Sequence, residues 1–264
     1  MATSKFLERY GPVALVTGAS SGIGLAFAEE LAERGFELVV AARRTDRLDA
    51  LAARLHSSHG TITRVVASDL SDPEAPAALL EATQGIDIGL VVSNAGFNLK
   101  GPFERPDASA MAKMLTVNCH APMQLAHGFI PRLKARGKGG IVFTSSVEGL
   151  IGCPYSTAYS ASKALVVALG EGLWGELQGE GIDVLTLCPG ATESEATAKY
   201  AEQYGMNDKL QPARDVARLT LDHITEGPTF VPHPHYRETF EKLTAMPRRE
   251  ALVSMAASLK ASVT

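Results

Sequence analysis

Short apolar runs recur along this chain, and amphipathic stretches of helical period separate them. The runs at 13–17, 36–42, 61–67, 88–92, 140–144, 182–187 and 229–231 read as strands, the first with both faces apolar. Between them, 25–34 places Leu25, Ala28 and Leu31 on one stripe and meets a stop at Gly35. Residues 46–56 do the same with Leu48, Leu51 and Leu55, and 75–83 and 158–178 are also helical. A long helical region over 108–135 is expected to break or bend near Pro122. Strands alternating with helices predict an α/β fold, a doubly wound parallel sheet of about seven strands with helices on both faces and right-handed crossovers.

Two segments stand outside this alternation. Residues 191–210 are polar with a weak helical pattern, and they are expected to form a flap over the carboxyl edge of the sheet. Residues 236–264 form a helical extension, split by Pro247, with a role in packing or a subunit interface. No Ser/Gly linker or charge block divides the chain, so one domain over 1–264 is expected.

Composition narrows the function. The chain has 264 residues, 45% of them apolar and 20% charged, and a formal charge of −4, the profile of a globular protein with a sizeable core. It has no basic stripe, which argues against nucleic acid as a partner. Cys119, Cys153 and Cys188 form neither a disulfide framework nor a zinc spacing, and the histidines show no metal spacing, so no metal is expected. The start lacks a signal-peptide core and no run approaches the roughly 20 apolar residues of a membrane span, so a cytoplasmic protein without stable membrane insertion is expected.

Between the first strand and the first long helix lies Gly18-Ala-Ser20-Ser21-Gly22-Ile23-Gly24. Glycines let a backbone approach a pyrophosphate, and the following helix N-terminus offers unpaired N–H groups and partial positive charge. The second strand ends at Arg43-Arg44 with no acid until Asp46. An acid at this position would bond the 2′-hydroxyl of NAD, whereas arginine accommodates the 2′-phosphate of NADP, so NADP(H) is the expected cofactor.

The stretch 145–163 carries the candidate chemistry. Tyr159 and Lys163 are four apart and share one helix face. A lysine cation one turn away should lower the phenol's ordinary value near 10, which makes Tyr159 a candidate acid or base. Taken alone, such a pair could occur by chance on any helix. Ser160-x-x-Lys163 also matches an acyl-enzyme motif, but its companion motifs are absent.

The glycine loop, Ser93-Asn94-Ala95-Gly96, Ser146, Tyr159-x-x-x-Lys163 and Pro189-Gly190 resemble, in order and spacing, the short-chain dehydrogenase/reductase family over roughly residues 11–232, and hence a Rossmann-type fold. The opening 10–18 and the helix 26–35 look like its steroid and long-chain 3-oxoacyl reductase branch. The resemblance implies NADP(H)-dependent hydride transfer between a small-molecule carbonyl and its alcohol. It makes Tyr159 the acid or base and Lys163 the group that lowers its pKa and bonds the nicotinamide ribose. Ser146, thirteen residues before Tyr159, would bond the substrate oxygen, with Ser145 a bystander. Asn118 would support a water-mediated proton relay. Asp69 and Leu70 would meet the adenine, Asn94, Ala95 and Gly96 would line the cofactor, and Pro189, Gly190 and Thr192 would approach the nicotinamide. Ser93 replaces the more frequent asparagine, and Ser194 stands where threonine is usual. Tyr155 is expected to line the substrate pocket, and with Gly149, Leu150 and Ile151 it points to an apolar substrate. The resemblance also implies a homodimer or homotetramer. The rival from another class is a non-catalytic NADP sensor or scaffold on the same fold. Removing both charges of Arg43 and Arg44 is expected to weaken NADP binding far more than NAD binding in a titration; equal losses would remove the NADP assignment.

Overall fold

The structure is a computed structural model that describes residues 4–195, 197 and 210–260. Its strands are β1 (Val13–Thr17), β2 (Glu37–Ala42), β3 (Thr63–Ala67), β4 (Ile88–Ser93), β5 (Gly139–Thr144), β6 (Ile182–Leu187) and β7 (Thr229–Phe230). They pair in parallel in the order β3-β2-β1-β4-β5-β6-β7.

Alternate residues of these apolar strands feed two cores, because successive side chains of a strand point to opposite faces. Ala14, Val16, Leu38, Val40, Leu90 and Val92 pack on one face, beneath α2 (Gly22–Glu33), α3 (Thr45–His59) and α8 (Ala213–Asp222). Val13, Leu15, Val39, Val91, Ile141 and Phe143 pack on the other, beneath α4 (Ala75–Ala82), α6 (Ala121–Arg136) and α7 (Thr157–Glu176). The connections after β1 and after β4 leave toward opposite faces. This creates a crevice at the carboxyl ends of β1 and β4, where ligands bind in sheets of this type.

The break expected near Pro122 lies just before it. Helix α5 (Ala108–Leu115) passes through a π-helical turn, Thr116–His120, into α6. Helix α1 (Lys5–Tyr10) and helix α8 lie outside the elements expected from the sequence pattern. The stripe that buries α8 is Val216, Ala217, Thr220 and Leu221. The extension forms α9 (Pro234–Ala245) and α10 (Arg248–Lys260). Pro234 opens α9, and the His233 ring caps it by accepting from the His235 N–H at 3.2 Å. Most of the expected flap, residue 196 and residues 198–209, lies outside the described residues.

One glycine sets where α7 sits. A methyl group at Gly170 would run into the Thr186 hydroxyl of β6, a buried hydroxyl without a hydrogen-bond partner among the described residues. Helix and strand therefore touch backbone to side chain at this point. Gly170→Ala is expected to destabilise the fold by about 1–3 kcal/mol through overpacking, despite alanine's better helix propensity. Thermal melts should show a Tm lower by several degrees, largely restored when Thr186→Ala is added. An unchanged Tm for the single variant would contradict the close contact.

Candidate active site

At the carboxyl end of β5 the chain turns through Ser145 and Ser146 and then enters a short 3-10 turn, Val147–Gly149. The two serines do different things. The Ser145 hydroxyl donates to the Lys163 carbonyl at 2.7 Å, which ties the strand end to α7. The Ser146 oxygen caps the 3-10 turn, accepting from the Glu148 N–H at 3.2 Å, and its hydroxyl faces Tyr159, near enough to favour the phenolate.

Lys163 is buried at 3% exposure, and its ammonium donates to the Thr144 carbonyl at 2.7 Å. Burial pushes its pKa down to about 8. The Nζ atom stands 5.8 Å from the centre of the Tyr159 ring. The expected lowering of the Tyr159 pKa is not what this arrangement produces. Desolvation and then the Glu148 carboxylate raise it well above its ordinary value, and the Ser146 contact only partly offsets them. The lysine is directed at Thr144 and is itself desolvated, so burial of the phenol wins. Tyr159 thus keeps its proton throughout the neutral range.

Asn118 lies on the π-helical turn, almost fully buried. Its Oδ1 accepts from the Phe97 N–H at 3.1 Å, and its Nδ2 donates to the Phe97 carbonyl and the Ser162 hydroxyl, each at 3.0 Å. The side chain therefore clamps the loop after β4 to α7. A methyl group at Gly96 would sit 3.1 Å from both Asn118 Oδ1 and Lys163 Nζ. Asn118, Ser146, Tyr159 and Lys163 converge at one edge of the sheet.

The glycine loop lies beside them. Gly18 and Gly22 have positive φ, +69° and +55°, which favours glycine. A methyl group at Gly18 would come within 2.9 Å of the Ala95 Cα, and one at Gly24 would strike the Gly18 carbonyl and the Asn94 side chain. Ser21 is the N-cap of α2 but makes no side-chain cap bond, so first-turn amides remain for another acceptor. Open amides at a helix N-terminus, with backbone close enough to touch, fit a pyrophosphate. Ser20, Ser21 and Ile23 are part-exposed along this loop. Asn94 joins three strands: its N–H and that of Ala95 donate to the Thr17 hydroxyl at 3.0 and 3.1 Å, and its Oδ1 accepts from Thr144 at 3.2 Å.

Arg43 is exposed and faces Asp69. Burial raises the Asp69 carboxyl, but bonds from Ser71 and the charges of Arg43 and Lys113 outweigh this, leaving it below its usual value. Leu70 packs inward with Val117 and Ala121, beside Ala95. Arg44 turns back to the glycine loop, donating to the Ser20 hydroxyl at 3.1 Å and the Ser21 hydroxyl at 2.9 Å. It also pairs with Glu195 at 3.0 Å, and Arg47 holds the other oxygen of that carboxylate. Neither Arg47 nor Glu195 is among the residues expected at this site. The signal for Arg47 is its place only three positions beyond Arg44, on α3, whereas nothing local marks Glu195. At the end of β6, the Pro189 carbonyl accepts from the Val147 N–H at 3.1 Å, and the Thr192 hydroxyl donates to the Gly190 carbonyl at 3.1 Å. The Tyr236 ring of α9 lies so close to Gly190 that any side chain there would collide with it.

The substrate side is more polar than expected. Ile151, with Leu150 packed against the same cluster, goes to a core shared with Phe240, Ala251 and Met255 of the extension, so these two build the base of the loop. Glu148 accepts from Ser156 and pairs with Lys100 at 3.1 Å. Tyr155 is part-exposed, has a positive φ of 59°, and its carbonyl accepts from the Gly101 N–H at 2.7 Å. Phe97 and Phe103 are exposed on the facing loop. Cys153 and Cys188 are buried thiols pushed up to about 12 by desolvation. Among the described residues, no group of three or more His, Cys, Asp or Glu could hold a metal ion, and no helix is long and apolar enough to cross a membrane.

The chain is similar to known proteins. A 7beta-hydroxysteroid dehydrogenase of Clostridium sardiniense is 29% identical over 252 residues, 95% of this chain and 96% of that protein. Very-long-chain 3-oxoacyl-CoA reductase-A of Danio rerio is 34% identical over 185 residues, 69% of this chain and 58% of its own length. A short-chain dehydrogenase from Sphingobium yanoikuyae, solved in complex with NADPH, superposes with a TM-score of 0.81 at 32% identity, covering 92% of this chain and 95% of the other. One from Burkholderia phymatum, solved in complex with NAD, gives 0.80 at 29% identity, covering 89% and 93%. The family model described as short chain dehydrogenase matches residues 12–205, and with the parallel sheet, the glycine loop and the Tyr-Lys helix in place, the chain belongs to the short-chain dehydrogenase/reductase family of NAD(P)-dependent oxidoreductases.

Proposed function

We propose that the protein is an NADP(H)-dependent reductase of apolar ketones, with Tyr159 as the proton donor. The observation that carries this reading is the buried Lys163 cation one helical turn from a protonated Tyr159 that faces Ser146. The cofactor would lie along the first-turn amides of α2 and beside Asn94, Ala95 and Gly96 of the loop after β4, with Arg43 and Arg44 toward the 2′-phosphate. When bound, the nicotinamide supplies the hydride.

The chain's own residues supply the proton and the electrostatics. Charge builds on the carbonyl oxygen during reduction, and donors already aimed there stabilise it most. The Ser146 and Tyr159 hydroxyls are those donors. As Tyr159 gives up its proton, the Lys163 ammonium becomes the nearest cation to the phenolate, which makes the transfer less unfavourable than burial alone would allow. In the oxidative direction the same pair takes the proton back. Asn118 holds the loop after β4 against α7, so that the acid and the glycine loop keep their spacing.

For the substrate, exposed Phe97 and Phe103 offer an apolar wall, and relatives named for a hydroxysteroid and for very-long-chain 3-oxoacyl-CoA support a hydrophobic ketone. An NADPH-bound neighbour supports NADP, as do Arg43, Arg44 and Arg47; an NAD-bound neighbour marks the alternative. Exposed Leu115, Met123 and Leu165 on α5, α6 and α7 favour a homodimer or homotetramer through that face. Tyr159→Phe is expected to lower kcat for carbonyl reduction by about 100- to 10,000-fold with NADPH affinity nearly unchanged, read by nicotinamide absorbance and by fluorescence titration. Near-normal turnover would assign the proton to another group, and silence of the unaltered protein toward every ketone despite tight NADPH binding would favour a sensor.

A further inference from the structure

We propose that Glu195 tunes cofactor selectivity: its carboxylate occupies Arg44, one of the two arginines that would face the 2′-phosphate of NADP(H), together with the neighbouring Arg47, and so restrains the preference for NADP(H) over NAD(H). This rests on the reading of the cleft as a nicotinamide dinucleotide site.

The geometry is specific. Each Glu195 oxygen takes one arginine, Oε2 from Arg44 at 3.0 Å and Oε1 from Arg47. The same Arg44 guanidinium donates to Ser20 and Ser21 on the glycine loop. A fork of fixed donors aimed at one carboxylate is also a fork for phosphate, since both anions present oxygens at matching spacing. Ser20, Ser21, Gly22, Arg47 and Glu195 line one open cleft of about 350 Å³. Of the other arginines around it, Arg54 pairs with Glu29 at 2.5 Å, whereas Arg43 is exposed and acts on Asp69 only through its charge. A 2′-phosphate can meet Arg43 directly, but to engage Arg44 and Arg47 as well it has to take them from Glu195.

Glu195 is carried to this place by an ordered base. The Glu193 N–H donates to the Gln211 carbonyl at 2.9 Å, and the Gln211 N–H donates to the Ala191 carbonyl at 3.0 Å. The Thr197 N–H donates to the Ser194 hydroxyl at 3.1 Å. A methyl group at Gly22 would sit 3.2 Å from the Ser194 Cβ, so the segment lies directly over the start of α2. The three charged side chains are 40–58% exposed, so the pairs are weak and a dianion can displace them. The 2′-hydroxyl of NAD(H) needs no such displacement, because a carboxylate accepts a hydroxyl hydrogen bond.

The test is calorimetric titration of the full chain and of Glu195→Gln and Glu195→Ala with NADPH, NADH, 2′,5′-ADP and 5′-AMP at one ionic strength. Both variants should bind NADPH and 2′,5′-ADP about 3- to 10-fold more tightly, the size of effect expected for releasing two exposed pairs. NADH and 5′-AMP should change little or weaken. Unchanged or weaker binding of 2′,5′-ADP in both variants would overturn the proposal while leaving the cofactor reading intact. Equal gains for all four ligands would overturn it as well, since they would reflect general access to the cleft. Failure of the unaltered protein to bind either NADPH or NADH would overturn the cofactor reading and the proposal together.

Discussion

The site depends on the Lys163 ammonium being held where water barely reaches. A cation there needs a partner, and the chain supplies the Thr144 carbonyl at the end of β5. Strand β5 and helix α7 are then bound to one another twice, because Ser145 returns a bond to the Lys163 carbonyl. The loop after β4 is drawn in as well, through Gly96 against the ammonium and through Asn118 against Phe97. The cost of this burial appears in the pKa, held at about 8 against an ordinary 10.5. Between those values the unfolded chain holds a proton that the folded chain has released, so stability rises with pH across that window, and below about 8 the full cost is present.

That constraint orders the rest of the cleft. The Thr144 hydroxyl bonds Asn94, Asn94 bonds Thr17, and Thr17 leads into the glycine loop. A short chain of hydrogen bonds thus runs from the base of the Lys163 site to the start of α2, across β5, β4 and β1. A fold built this way keeps the open amides of α2 and the Tyr159 hydroxyl at a fixed spacing, which a two-part reaction requires. Gly170 and Gly24 perform the same service by letting backbone and side chain approach without a methyl group between them.

Much of this is legible in the chain itself. Strands buried on both faces leave continuous apolar runs, and the seven runs fall on the seven strands to within two residues at their ends. The glycine loop announces itself by its position between a strand and a helix, and the serine doublet by its distance from Tyr159. What stays hidden depends on partners far away in sequence. Helix α8 has a short stripe that gains meaning only against α2. Glu195 lies 151 residues from Arg44 and carries no local mark. The Tyr159 shift runs opposite to expectation because spacing reveals a nearby lysine but not the desolvation or the Glu148 charge that outweigh it. Leu150 and Ile151 resemble a pocket wall in sequence because the helices that cover them, α9 and α10, show no destination there.

The central claim is that Lys163 is a buried cation whose charge remains available near neutral pH. Carbon-13 NMR of the lysine side chains, with Lys163 assigned by comparison with Lys163→Met, measures this directly. The account predicts a titration midpoint for Lys163 near 8. A midpoint at the ordinary lysine value of about 10.4 would show a solvated ammonium and contradict the account.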